Sequence, residues 1–389
     1  MCHMGPSGVA YHNGVYGNYN CDSPWQLVTS AISAMKSIHS NPDFILWTGA
    51  QYLNLIIFHL LTIGGYYNAT TKTNLVILGL NTNIYYSMDK ATAHKQDPAG
   101  QFDWLQKQLM QARLRNQKVF IVSHVPPGEF ELVRDIMWFY SDYNNKYLEI
   151  MRTHKDEISS QIYGHEHTDS FRILRDHKGE FVSMLYLSPA VTPWKSTLKG
   201  VGSNNPSIRL YEYNQLNGDI INYQQYFLNL TSANSIKQAK WTLEYDALKD
   251  YGLKNLSPKS WSSLAESFKS NGQNLNKYLQ YNTVSQNLNL TCDDSCVLNH
   301  VCAITELEKD AYTDCIDNRH TTTHHGSTRP HHHPLRPVPH YMFYIIGGLG
   351  GLCFILFIVI AIICVRKRKH VVPPRYSRFG SSLSNGPIN

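Results

Sequence analysis

The hydrophobic positions of this chain follow two rhythms. WQLVTSAISAMKSIH, introduced by Ser23 and Pro24, places Leu27, Ala31, Met35 and Ile38 on one stripe, and QFDWLQKQLMQARLRNQ does the same with Phe102, Leu105, Leu109 and Ala112. Residues three and four apart share a helix face, and proline suits a first helical turn, so both stretches are predicted helices. DFILWTG, LVILGLNT and KVFIVSHVPPG are apolar runs of strand length closed by turn residues. ELVRDIMWFYSDYNNKYLEIMRTHKDEI predicts more helix and SSQIYGHEH a further strand, after which FRILRD, FVSMLYLSP, SIRLYEYN and DIINYQQYFLN follow as successive strands. Helical segments are expected from Trp241 to about Tyr281. Strands that alternate with helices and then run consecutively imply an α/β domain in layers with an antiparallel portion.

A different pattern closes the chain. Residues 341–365, YMFYIIGGLGGLCFILFIVIAIICV, carry no charge, and at a helical rise of about 1.5 Å they reach roughly 37 Å, enough to cross a bilayer. This is the expected transmembrane helix. RKRK follows at once, which by the positive-inside rule makes 366–389 a basic cytoplasmic tail and puts the body outside the cell or in a lumen, as a single-pass membrane protein. Gly347 and Gly351 have the spacing that pairs two spans, a possible dimer contact, although glycine is common in such helices. Cys364 beside the basic run is a candidate for palmitoylation. Residues 319–340 are rich in His, Pro and Thr and hold no acid, a stalk too polar to pack. Metal or proton sensing by its histidines is the alternative, set against by a flexible tract's lack of a defined geometry. The opening MCHMGPSGVAYHNG has no basic segment followed by an apolar one, so no signal peptide is expected in this sequence.

Charge removes one partner class. The net +6 is matched by six Lys or Arg in the tail, where there is no acid, so the body is neutral and nucleic acid is not an expected partner. With 42% hydrophobic residues over 389 positions, the body can bury a sizeable core. Cys292, Cys296, Cys302 and Cys315 cluster ahead of the stalk and are expected to form two disulfides. Three pairings are open, of which Cys292 with Cys296 and Cys302 with Cys315 is the most local. A zinc knuckle that includes His300 is the rival. Asn68, Asn229 and Asn289 stand in N-x-Thr acceptor patterns, consistent with an extracellular glycoprotein, and Asn255 is a poorer acceptor because Pro258 follows its sequon.

The chemistry-bearing motifs are SHVP and IYGHEHTD. Both close predicted strands, where α/β sheets gather their active groups, so His124, His165 and His167 are expected to meet. In an extended segment His165 and His167 would point one way and Glu166 the other, which suggests a shared metal.

SHVPPG, YGHEHTDSF, LSPAVTPWKS, NNPSIRLYEY, QYFLNLTSAN and CDSPWQLVTSAISAMK, with LNTNIYY and the cysteine cluster, make the chain resemble the acid sphingomyelinase-like phosphodiesterases, a branch of the calcineurin-like metallophosphoesterases. The resemblance covers 21–315 with one interruption. It implies a four-layer αββα domain over 1–235 and a helical, disulfide-containing subdomain over 236–318. It also implies two zinc ions that activate water against phosphoric diesters such as sphingomyelin-type lipids or nucleotide derivatives. Carried over, His124 and His165 bind one zinc and His167 the other.

The remaining ligands of the family pattern are missing. Ala50 stands where WTGD would supply a bridging Asp, and QYLNLIIFHLLTIGGYYN runs on to a later family segment, so the domain is expected to be shortened near 50–64 and incomplete at its N-terminus. His59 in that bridge reads as a packed residue. Zinc sites use three or four protein ligands, and two dications without an anionic bridge repel. The expectation is weak or partial zinc binding with no intact catalytic set, and the alternative is a non-catalytic, membrane-anchored glycoprotein that binds a ligand or partner.

Overall fold

The computed structural model describes residues 14–49, 64–193, 195–196, 198 and 201–320. Ala50, His59, residues 321–340 of the stalk, the apolar run 341–365 with Gly347 and Gly351, and the basic tail with Cys364 lie outside the described residues, while residues 319 and 320 end the last described helix. Among the described residues no helix is long and apolar enough to cross a membrane.

Six strands form the main sheet in the order β1 (Tyr67–Thr70), β2 (Val76–Gly79), β3 (Val119–Val122), β4 (Ile158–Tyr163), β6 (Phe181–Leu187) and β5 (Ser170–Arg175). The pairs β2–β3, β3–β4 and β4–β6 are parallel, while β1 and β5 are antiparallel edges. Helix α2 (Gln101–Leu114) joins β2 to β3, and α3 (Ser141–Thr153) joins β3 to β4. A second, antiparallel sheet follows in the order β7 (Ser207–Tyr213), β8 (Ile220–Leu228), β9 (Trp241–Asp246).

The continuous apolar runs of β2 and β3 are those of strands covered on both faces. Val76, Leu78, Val119 and Ile121 pack with Phe102, Leu105 and Leu109 of α2 and with Tyr147 and Leu148 of α3. Ile77, Phe120 and Val122 face the other way, into a core shared with Tyr223 of β8, Tyr245 of β9 and the helices α6 (Pro258–Ser267), α7 (Gly272–Asn282) and α8 (Asp294–Thr305). The fold is therefore mixed α/β with a mainly parallel sheet. Helix α1 (Trp25–Ile38) buries only Leu27 and Ala31 of its stripe, and Leu27 packs against Leu228 and Ala233.

Three local expectations need correction. Residues 43–49, DFILWTG, alternate as a strand should, with Phe44 and Leu46 inward and Ile45 and Trp47 exposed, but they join no ladder. Phe44 packs on Phe120 and Tyr213, so the segment crosses the face of β3, whose two edges already pair with β2 and β4. The helix expected from Glu131 begins only at Ser141. Ahead of it the chain folds back, with Phe130 N–H donating to Ile136 O (2.9 Å), Trp138 N–H donating to Gly128 O (3.1 Å) and Asp135 at φ 61°. Finally, the helical stretch expected from Trp241 opens as β9, which completes the second sheet beside β8.

The cysteines take the most local pairing: Cys292–Cys296, and Cys302–Cys315 between α8 and α9 (Lys309–His320). All four sulfurs open to the rival zinc knuckle are thus spent in disulfides. Asn68, Asn229 and Asn289 are all exposed.

Candidate metal-binding site

Parallel neighbours release their chains at the same edge of a sheet, and β3 and β4 pair in register with Val122 opposite Ile162. His124 and His165 therefore emerge side by side, two residues beyond their strands. Gly164 N–H donates to His124 O (3.0 Å), extending the pairing one step past the ladder. A Cβ on Gly164 would lie 2.9 Å from Thr48 O and 3.2 Å from Thr48 Oγ1, so only glycine lets the 43–49 segment reach the site.

That approach fixes a tautomer. His124 Nδ1 lies 2.7 Å from Thr48 O, which can only accept, so Nδ1 carries the proton and Nε2 keeps its lone pair. Nε2 faces His165 Nδ1 at 3.3 Å. The other ring nitrogen of His165, Nε2, is buried with no hydrogen-bond partner among the described residues. Burial, with His124 and then His167 nearby, holds His165 down to about 3, and burial with His124 holds His167 to about 4. Burial also lowers His124, opposed by the Thr48 carbonyl. All three rings are neutral near pH 7, the form that binds metals.

The alternation argument for His165 and His167 does not hold. β4 ends at Tyr163, and both histidines lie in the turn beyond it at φ 73° and 60°, a region that side chains other than glycine adopt rarely. Such backbone persists where its surroundings over-determine it. Here Trp138 packs edge-to-face on His165 (4.4 Å between centroids), and Asn204 Nδ2 donates to His167 O (2.5 Å).

Sequence reasoning missed the groups that hold the turn. Glu166 is not turned to solvent. Its Oε1 accepts from Trp138 Nε1 (2.7 Å) and Arg172 Nη2 (2.8 Å), and Arg172 also reaches Glu131 Oε2 (2.6 Å), all fully buried. Burial pushes Glu166 well above the ordinary carboxylate range. For Glu131 burial acts in the same direction, but Arg172 and then His300 overturn it and bring the group to about 2. Asp169 is likewise committed, to Arg209 Nη2 (2.7 Å), Gln225 Nε2 (2.8 Å) and the Tyr245 hydroxyl. An arginine at an inward position of a strand, as in FRILR, was the available signal, because a buried guanidinium demands buried acids.

Two imidazole nitrogens bound to one tetrahedral zinc at 2.0–2.1 Å stand about 3.4 Å apart. The 3.3 Å between His124 Nε2 and His165 Nδ1 therefore fits one ion held by this pair. His167 does not close the set: among the described residues the only group of three His, Cys, Asp or Glu whose ligand atoms lie within 4.8 Å of one another is Cys292, Cys296 and His300. The two carboxylates of the turn, Glu166 and Asp169, are paired with arginines. A carboxylate-bridged pair of ions does not fit these residues.

A family model of the acid sphingomyelin phosphodiesterase C-terminal region matches residues 180–322. The chain is 34% identical over 382 residues to acid sphingomyelinase-like phosphodiesterase 3b of Homo sapiens, covering 79% of this chain and 83% of that protein. The chain belongs to the acid sphingomyelinase-like phosphodiesterase family. Within that family it is also similar to the cyclic GMP-AMP phosphodiesterase SMPDL3A of Homo sapiens (32% over 385 residues; 81% of this chain, 86% of that one). Sphingomyelinase phosphodiesterase C of Dictyostelium discoideum is a further relative (28% over 372 residues; 77% and 83%). Among solved structures, one described as "Structure of PhoD" aligns over 59% of this chain and 52% of its own at 9% identity with a TM-score of 0.27. These relatives are phosphodiesterases by name.

Proposed function

We propose that this chain is an acid sphingomyelinase-like phosphodiesterase on an αββα frame whose zinc centre is incomplete and whose hydrolysis of phosphoric diesters is impaired. The names of its relatives point to sphingomyelin-type lipids or nucleotide derivatives as the substrates of the intact frame. One observation carries the reading: the carboxylates beside the histidine pair, Glu166 and Asp169, are locked to Arg172 and Arg209, and Ala50 stands where the family pattern has its bridging acid. His124 and His165 supply two neutral nitrogens to one ion, while His167 is left to a second ion with no carboxylate to join the two. Without that anion two nearby dications repel, and too few ligands remain to hold either tightly.

The proposal extends to location. Residues 341–365 anchor the chain in a membrane, the tail 366–389 lies in the cytosol, and the body carries glycans at Asn68, Asn229 and Asn289, whose exposure supports the assignment. That exposure also favours a second reading, a non-catalytic surface glycoprotein that keeps the family surface for binding a ligand or partner.

The test is hydrolysis of bis-p-nitrophenyl phosphate by the purified full chain with and without added zinc. The rate should stay at the uncatalysed background and be unaffected by His124→Ala or His165→Ala. Zinc-dependent turnover that either substitution abolishes overturns the proposal.

A further inference from the structure

The cysteine cluster holds a ligand set of its own. Cys292 precedes α8, Cys296 lies in its first turn and His300 one turn further on the same face, because positions four apart stack along a helix. One ligand atom from each of the three lies within 4.8 Å of the other two. His300 is buried, its Nδ1 is 3.4 Å from the Tyr278 hydroxyl, and the ring packs edge-to-face on Tyr278, so the imidazole is held in place by its surroundings. Cys292 and Cys296 are only partly buried and open to a reductant, whereas Cys302 is fully buried.

We infer that reduction of the Cys292–Cys296 disulfide converts the start of α8 into a binding site for zinc or a similar thiophilic divalent cation, with Cys292, Cys296 and His300 as ligands and one position open. The disulfide takes up two electrons from a phosphine or dithiol reductant, together with two protons, giving two thiols. Each thiol loses its proton as its sulfur binds the cation, so the bound site is two thiolates and one neutral imidazole. Mixed sulfur and nitrogen donors suit zinc, and three protein ligands leave room for water or another donor. The loop this disulfide closes spans 4 residues against 13 for Cys302–Cys315. In the chain-entropy account a short loop constrains the unfolded chain less, so the fold tolerates opening this bond better than opening the other.

This site is independent of the His124 pair, and the test separates the two because only thiolate ligands give thiolate-to-cobalt charge-transfer absorption. The full chain, reduced with tris(carboxyethyl)phosphine under argon, is titrated with cobalt(II). The expected result is that absorption at one equivalent per chain, absent from the oxidised protein, lost in Cys296→Ser and weakened at least tenfold in affinity in His300→Ala. Since His300 is buried and its variant can misfold, a second readout uses the unaltered chain: zinc should slow iodoacetamide labelling of Cys292 and Cys296, read by peptide mass, and leave Cys302 and Cys315 at their zinc-free rate. Absence of the charge-transfer band, its persistence in Cys296→Ser, or labelling of Cys292 and Cys296 that zinc does not change overturns the inference.

Discussion

The Arg172 guanidinium, buried between Glu131 and Glu166, is the positive charge beneath the histidine turn. Removing one partner of a buried ion pair leaves the other desolvated and uncompensated, so Arg172→Met should lower the unfolding free energy by about 3–5 kcal/mol in urea titration. Glu166→Gln should cost less than about 1.5 kcal/mol, because burial pushes Glu166 toward its neutral form while Glu131 stays to pair with Arg172, and an amide oxygen can accept from Trp138 and Arg172 as the carboxyl oxygen does. Equal losses for the two variants would contradict this division of charge. His300 gives a pH signature at the same scale. Burial lowers it to about 4, below its ordinary 6.5, with Glu131 opposing and Arg172 assisting. The folded state then binds fewer protons than the unfolded one between those values, so its contribution is present above pH 6.5 and is lost as pH falls toward 4. Between pH 7 and pH 5 the native chain should lose roughly 2 kcal/mol more stability than His300→Gln, measured by unfolding at both pH values. An identical pH slope in the two proteins would show that His300 is not held neutral.

At the scale of elements, the same residues explain what could and could not be read in advance. The stripe of α2 was legible because all four of its residues, Phe102, Leu105, Leu109 and Ala112, are buried in a single core. Residues 43–49 have strand periodicity too, yet ladder pairing depends on a free edge, and periodicity carries no information about which edges are taken. Around Trp138 the apolar density resembles a helix, but Gly128 at φ 92° and Asp135 at φ 61° fold the chain back instead. The Gly164 contact makes 43–49 part of the site, and Gly164→Ala should push Thr48 off His124. The expected cost is about 1–3 kcal/mol, with faster proteolysis within 43–49; unchanged cleavage would mean that the segment does not depend on that contact. At the other end of the chain, replacing Cys302 and Cys315 together with Ser should cost about 3 kcal/mol, more than the same change at Cys292 and Cys296, because the longer loop constrains the unfolded chain more. Thermal unfolding of the two double variants orders them, and the reverse order would contradict the pairing of loop length with stability.

For the whole molecule, the order of strands and helices made the layered α/β class legible, since sheets covered by crossover helices leave continuous apolar runs. The meeting of His124 and His165 was legible for the same reason: both follow parallel strands that share an edge. What stayed hidden was how the turn is held. The positive φ of His165 and His167, the Trp138 ring and the Glu131–Arg172–Glu166 cluster depend on contacts between residues far apart in sequence, which spacing does not encode. The deciding consequence is that Glu166 and Asp169, the acids nearest the histidines in sequence, face arginines rather than a metal. The most direct test of the proposed incomplete centre is the zinc content of the purified full chain after exhaustive dialysis, by inductively coupled plasma mass spectrometry. The account predicts fewer than two retained ions per chain; two tightly retained ions, both lost in a His124→Ala, His167→Ala double variant, would contradict it.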